Sequence, residues 1–212
     1  MGAFAPVPLP AELYEDIDTR IVLPVLAELR RRDIPYRGVL YIGLMLTEHG
    51  PSVLEFNCRF GDPETQVVLP LLGVDLMDLC EATAAGRLGE WLQGLPGEAP
   101  GEPAGWTGGS VSDWRRHAVV VVGASDGYPG RYIKGRAITL PADTDESWIV
   151  HAGTEARDGA VVTAGGRVLG AVGVADTAAD ARRAAYALLD GVHFEGLTFR
   201  RDIAAARAAK HE

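Results

Sequence analysis

The segment Val53-Leu54-Glu55-Phe56-Asn57-Cys58-Arg59 carries polar groups at every second position. Side chains of a β-strand alternate between its faces, so Glu55, Asn57 and Arg59 fall on one side and Leu54, Phe56 and Cys58 on the other. The first face offers a carboxylate, an amide oxygen and a guanidinium in a row. Cα atoms two residues apart in a strand are separated by about 6.6 Å, so the Glu55 and Asn57 oxygens can converge on one hard cation. Mg²⁺ suits such a pair, because it takes few protein carboxylates and completes its shell with water and phosphate. Arg59 then faces phosphate or carboxylate oxygens at the metal. The second face is apolar and reads as core. An ordinary amphipathic strand with a polar outer face would show the same alternation.

The next segment, Arg59-Phe60-Gly61-Asp62-Pro63-Glu64-Thr65-Gln66, sets two acids, a turn glycine and a turn proline directly after that strand. A loop that brings carboxylates beside a cation and phosphates is costly unless it serves a substrate. Other candidates are weaker. His151, beside Ala-Gly-Thr, reads as a structural strand-end residue, His49 as a solvated turn residue and His193 as packed between Val192 and Phe194. Cys58 is expected on the apolar side, away from any reactive role. Lys134-Gly135-Arg136 reads as a turn with solvated charges, with a sugar phosphate as its alternative ligand.

These residues need elements to hold them. Leu13, Ile17, Ile21, Val25 and Leu29 recur every four residues and predict a helix over 11–32, with a kink or two abutting helices at Pro24. The apolar run 38–47 predicts a buried strand, Glu48-His49-Gly50-Pro51 a turn, and Ser52 to Arg59 the second strand of a hairpin. Short helical segments are expected to about Leu72. A further helix is expected from Asp75, as N-cap, to Ala85, stopped by Gly86. Residues 93–109 are crowded with Pro and Gly and read as a linker or surface connection. Beyond them the texture changes to short strands at 118–122, 148–151, 160–163 and 167–174, then an Ala-rich helix over 177–189. Gly165-Gly166 reads as a two-residue hairpin turn between the last two strands. The expected class is α+β, with domains over 1–92 and 110–212.

Composition narrows the function classes. The 212 residues are 47% apolar and 23% charged, enough for a real core and against wholesale disorder. The net charge of −9 argues against non-specific nucleic-acid binding. Two cysteines make neither a disulfide framework nor a zinc site, and the bland reading is two reduced thiols. No apolar run of about 18 residues is present, and the N-terminus lacks signal-peptide character, so a cytoplasmic setting without membrane contact is expected.

The stretch from Glu55 to Gln66 resembles the signature of phosphoribosylamine–glycine ligases, a family of ATP-grasp enzymes. The resemblance runs over nearly the whole chain. It includes Tyr36-Arg37-Gly38-Val39-Leu40-Tyr41, Gly127-Tyr128-Pro129, Lys134-Gly135, His151-Ala152-Gly153-Thr154, Gly165 to Gly170, His193-Phe194-Glu195-Gly196 and Arg200-Arg201-Asp202-Ile203. It implies the C-terminal part of an ATP-grasp domain followed by a small mixed sheet-and-helix domain. It also implies Glu55 and Asn57 as Mg²⁺ or Mn²⁺ ligands and Leu54 beneath the adenine of ATP. Arg59 would steady phosphate oxygens, and Asp62 and Glu64 would lie near glycine and the amine. Gly61 would belong to the substrate loop, and Gly2 to the tail of a glycine-rich loop near the substrate. The implied reaction joins glycine to 5-phosphoribosylamine at the expense of ATP in purine synthesis.

Family members carry a long N-terminal portion with a mobile lid and phosphate-gripping lysines, and no GxxxxGK[ST] loop here replaces them. The expectation is therefore a C-terminal half, inactive by itself, whose partner is the missing N-terminal half. Two rivals remain: an ATP-grasp ligase or carboxylase with another substrate, and a non-catalytic relic or interaction module.

Overall fold

The computed structural model describes residues 1–95 and 115–205. Most of the expected 93–109 connection therefore lies outside the described residues. The chain divides into two compact units that are not contiguous in sequence. One comprises Met1–Pro6, Asp62–Leu71 and the chain from Arg115 onward; the other comprises Val7–Gly61 and the chain from Leu72. Compactness thus groups the first strand and the 62–71 segment with the C-terminal strands, because their backbones and apolar side chains pair there.

The first unit is built on an antiparallel sheet in the order β1-β4-β8-β5: β1 is Gly2–Ala5, β4 His117–Ser125, β8 Arg167–Ala175 and β5 Ser147–His151. A short strand β9, Leu197–Thr198, pairs with the far end of β4. The run Val119-Val120-Val121-Val122 is rich in β-branched residues and buried throughout, as befits a strand covered on both faces. Val119, Val121, Leu169 and Ala171 face helix α6, Ala178–Asp190, which buries Ala181, Ala185, Leu188 and Leu189. The opposite face, with Ala118, Val120, Val172 and Val174, meets Val67 and Leu71. These two come from helix α3, Thr65–Val68, and the 3₁₀ turn Leu69–Leu71. Each such Val or Leu contributes about 1.5–3 kcal/mol by leaving water. Helix α6 begins where expected, with the Thr177 hydroxyl accepting from the Asp180 amide.

Gly165-Gly166 does not turn a hairpin. β7, Ala160–Thr163, pairs with β6, Thr154–Arg157, whereas β8 pairs with β4 and β5. The hairpin turn is Asp158-Gly159, both at positive φ, 51° and 80°, which suits a tight primed turn. The two glycines instead serve close packing. The Ala164 and Gly165 amides donate to the Gly153 carbonyl, and a Cβ on Gly166 would enter the Tyr128 ring.

In the second unit, α1 (Ala11–Ile17) and α2 (Leu23–Arg31) are joined by a π-helical turn, Asp18–Val22. The sequence pattern predicts a break at Pro24; the chain widens one turn earlier and keeps its helical course. Pro24 stands in the first turn of α2, where its missing N–H matters least. Ile21 is the buried centre of the expected stripe. The hairpin forms from β2 (Tyr41–Thr47) and β3 (Gly50–Asn57). Neither strand is buried as expected: Met45 is 52% exposed, Leu54 64% and Phe56 43%. Apolar periodicity reports that a face wants cover, and the described residues do not supply that cover. Helix α4, Leu76–Ala85, has the expected Asp75 cap and Gly86 stop, the latter at φ 72°. A short α5, Leu88–Gln93, follows.

Candidate functional site

The β2–β3 hairpin carries the polar row. Its register contains a bulge: Gly43 pairs with Glu55 and Leu44 with Val53, so Leu54 is the extra residue. The extra residue tightens the local twist and leaves regular alternation only beyond it. From Glu55 onward the alternation holds, with Phe56 opposite Ile42 and Asn57 opposite Tyr41. Glu55 and Asn57 therefore share one face. A Cβ on Gly43 would lie 3.0 Å from Glu55 Cγ, so the glycine leaves the carboxylate its room. Glu55 is exposed and Asn57 half-buried.

The strand ends at Asn57, so Arg59 is not the third member of the row. It sits in the bend beyond, exposed, with Nη1 donating to the Phe60 carbonyl 2.8 Å away. Cys58 is exposed too, not packed in a core. Tyr36 donates to the Val39 carbonyl at 2.5 Å; desolvation first, and then hydrogen bonding and charge at Cys58, push its phenol above the ordinary range. Beside it lies an open apolar hollow of about 350 Å³, lined by Phe60, Leu76, Leu79, Cys80 and Leu88. Arg37 borders this hollow and donates to the Ala84 carbonyl at 3.0 Å, satisfying the end of α4.

Gly61 is buried. Asp62, in the other unit, is held on both carboxylate oxygens: Gln66 Nε2 donates to Oδ1 at 3.0 Å, and Arg167 Nη1 lies 3.2 Å from Oδ2. Arg167 Nη1 also donates to the Asp62 carbonyl at 3.2 Å. Glu64 is half-buried at the start of α3. Gly2 belongs to strand β1, not to a loop. It pairs with Val121, and a Cβ there would run into the Val120 carbonyl. Close sheet packing is therefore one sufficient reason for that glycine. His151 Nδ1 lies 2.9 Å from the Thr154 hydroxyl, a structural contact across a tight turn. His193 is exposed, not packed; its backbone bonds to Thr139 while Val192 faces the core.

Among the described residues no cluster of three or more His, Cys, Asp or Glu side chains could hold a metal. The donor set that remains is Glu55 with Asn57, one carboxylate and one amide on a shared face. That set fits a hard cation that takes most of its ligands from water and phosphate. No helix of the described residues is long and apolar enough to cross a membrane. Arg167 carries no role in the sequence beyond its place in the Gly165 to Gly170 stretch, as a charged residue heading an otherwise apolar strand.

Residues 1–65 match the family described as phosphoribosylglycinamide synthetase, ATP-grasp (A) domain, and residues 118–206 match its C domain. The phosphoribosylamine–glycine ligase of Caldanaerobacter subterraneus is 44% identical over 97% of this chain and 45% of its own length. That of Nostoc sp. is 44% identical over 96% of this chain and 45% of its own. The crystal structure of the Thermotoga maritima phosphoribosylamine–glycine ligase superposes with a TM-score of 0.77 at 38% identity, covering 96% of this chain and 46% of that one. A biotin carboxylase domain from Hydrogenobacter thermophilus shares the fold alone, at 15% identity and a TM-score of 0.57 over 100% of this chain and 46% of its own. This chain thus spans about 45% of the length of the curated relatives it matches. With both domains matched in order, the α+β chain belongs to the phosphoribosylamine–glycine ligase family, carrying the end of its ATP-grasp domain and its C domain.

Proposed function

We propose that the chain is part of an ATP-dependent ligase that joins glycine to 5-phosphoribosylamine, giving glycinamide ribonucleotide, ADP and phosphate. The observation that carries this reading is that Glu55, opposite Gly43, and Asn57, opposite Tyr41, share one face of β3 inside the family's signature stretch. In this reading the glycine carboxylate attacks the γ-phosphorus of ATP, and the bond to the β-phosphate oxygen breaks to release ADP. The amine then attacks the acyl carbon, loses a proton, and expels phosphate as the amide forms. A divalent cation, Mg²⁺ or Mn²⁺, supplies charge neutralisation at the phosphates when bound.

The residues of this chain have distinct parts in that reading. Glu55 and Asn57 hold the cation. Arg59 offers a guanidinium to transferring oxygens, since phosphoryl transfer is mostly positioning and charge compensation. Leu54, exposed at the bulge, offers an apolar seat for the adenine. Gly61, Asp62, Glu64 and Gly2 are assigned to the neighbourhood of glycine and the amine by family resemblance. The complementary N-terminal portion supplies the grip on the triphosphate, and a cytoplasmic setting fits these small polar substrates.

The test is assembly of the ligase with its N-terminal portion, then measurement of glycine- and amine-dependent ADP release. Glu55→Ala should abolish turnover and weaken Mn²⁺ binding followed by electron paramagnetic resonance. Near-normal turnover and unchanged Mn²⁺ binding would exclude the assignment.

A further inference from the structure

The register between β4 and β8 steps irregularly at one point: Leu169 pairs with Gly123, but Arg167 pairs with Ala124. Val168 is therefore an extra residue, and both Val168 and Leu169 are buried in the cluster beneath α6. In a regular strand Arg167 and Leu169 would share a face, and the guanidinium would be driven toward the apolar underside of the helix. The bulge turns Arg167 to the other face, where Val67 and Leu71 pack. There its Nη1 meets Asp62 twice, at the carboxylate and at the main-chain carbonyl, each at 3.2 Å.

A single guanidinium that binds both a side chain and its own backbone fixes a residue's torsions more firmly than either contact would. Gln66 closes the other carboxylate oxygen from one helical turn later. With its side chain 36% exposed, Arg167 is only partly screened by water, and Asp62 is 50% exposed. An isolated ion pair at that exposure stabilises a fold little. A bulge that forces such a residue off the core face makes better sense as a device for holding Asp62 and its neighbours in place.

We infer that Arg167 is a positioning residue for the Asp62–Gln66 segment, so that Asp62 acts as the anchor of that segment and not as an acid or base. This rests on the reading that the segment serves the glycine and amine substrates. The geometry assigns the chemistry near these substrates to groups other than the Asp62 carboxylate, whose oxygens are already engaged.

The experiment has two arms. In the 212-residue chain, Arg167→Ala and Arg167→Lys are followed by hydrogen exchange. Arg167→Ala should speed exchange of the Val67 and Val68 amides, which donate to the Glu64 carbonyl, at least tenfold and leave β4 and β8 protected; Arg167→Lys should restore part of the protection. In the assembled ligase, Arg167→Ala should raise KM for glycine or the amine about tenfold, with kcat changed less than threefold. Asp62→Ala should match it, and the double variant should be no worse than either, as for two members of one unit. Unchanged exchange in the first arm overturns the inference, as does additive loss in the double variant. So does an Asp62→Ala loss far beyond that of Arg167→Ala, which would make Asp62 a chemical participant. An assembled wild-type ligase with no glycine-dependent turnover, or an active Glu55→Ala, would instead sink the functional reading, while the exchange result still decides whether Arg167 holds the segment.

Discussion

Gly43 lies directly across the hairpin from Glu55, and its missing Cβ is the space the Glu55 side chain uses. A methyl at Gly43 would sit 3.0 Å from Glu55 Cγ, tighter than side chains tolerate without moving. Gly43→Ala should therefore displace the Glu55 carboxylate from its place beside Asn57 while leaving the hairpin paired. The expected result is at least a tenfold weaker response to Mg²⁺ in the assembled ligase, with unchanged circular dichroism. An unaltered Mg²⁺ titration would mean that Glu55 moves aside without consequence.

The 212-residue polypeptide by itself should release no ADP in the presence of glycine and phosphoribosylamine. In the proposed reading Glu55 and Asn57 would supply cation ligands on one side only, and an exposed site keeps water that weakens each charge interaction. Adding the complementary portion of the enzyme should restore turnover. Robust turnover by the polypeptide alone would require a phosphate grip among residues read here as scaffold.

The Asp75 carboxylate caps α4 by accepting from the Met77 and Asp78 amides at 2.7 and 3.2 Å. Asp75→Ala should cost about 1 kcal/mol of stability, with Asp75→Asn losing a fraction of that. Urea denaturation resolves the two; equal stabilities for all three proteins would contradict the cap.

Gly173 is where β8 touches α6. A Cβ there would lie 2.5 Å from the Ala185 nitrogen and press on the Ala181 carbonyl. Gly173→Ala should push the helix off the sheet and destabilise by about 1–3 kcal/mol, the usual range for overpacking. A thermal midpoint unchanged from wild type would show that the helix yields freely.

The Arg200 guanidinium, hydrogen-bonded to Asp202, holds that carboxyl below its ordinary value of 3.8. A depressed folded-state value stabilises above the unfolded value, and the contribution fades as pH falls through the folded one. An NMR titration should place the Asp202 midpoint below 3.8, and Arg200→Met should return it to the ordinary range.

Local order was legible in the sequence wherever neighbours along the chain decide it. The Asp75 cap, the Gly86 stop, the Leu13-to-Leu29 stripe and the alternation of Glu55 with Asn57 all rest on contacts within a few residues. So does the Asp158-Gly159 turn, although Gly165-Gly166 carries the same kind of turn signal. Those two glycines sit against Gly153 and Tyr128, which are distant in sequence, and only folding brings them together. The 38–47 run stands partly exposed for a related reason: a periodicity states what a strand can bury, while cover must come from another segment. The grouping of β1 with β4, the bulges at Leu54 and Val168, and the grip of Arg167 on Asp62 belong to the tertiary structure alone. Each depends on register between paired segments, across one hairpin at Leu54 and across long stretches of chain in the others, where a shift of one residue turns a side chain to the opposite face.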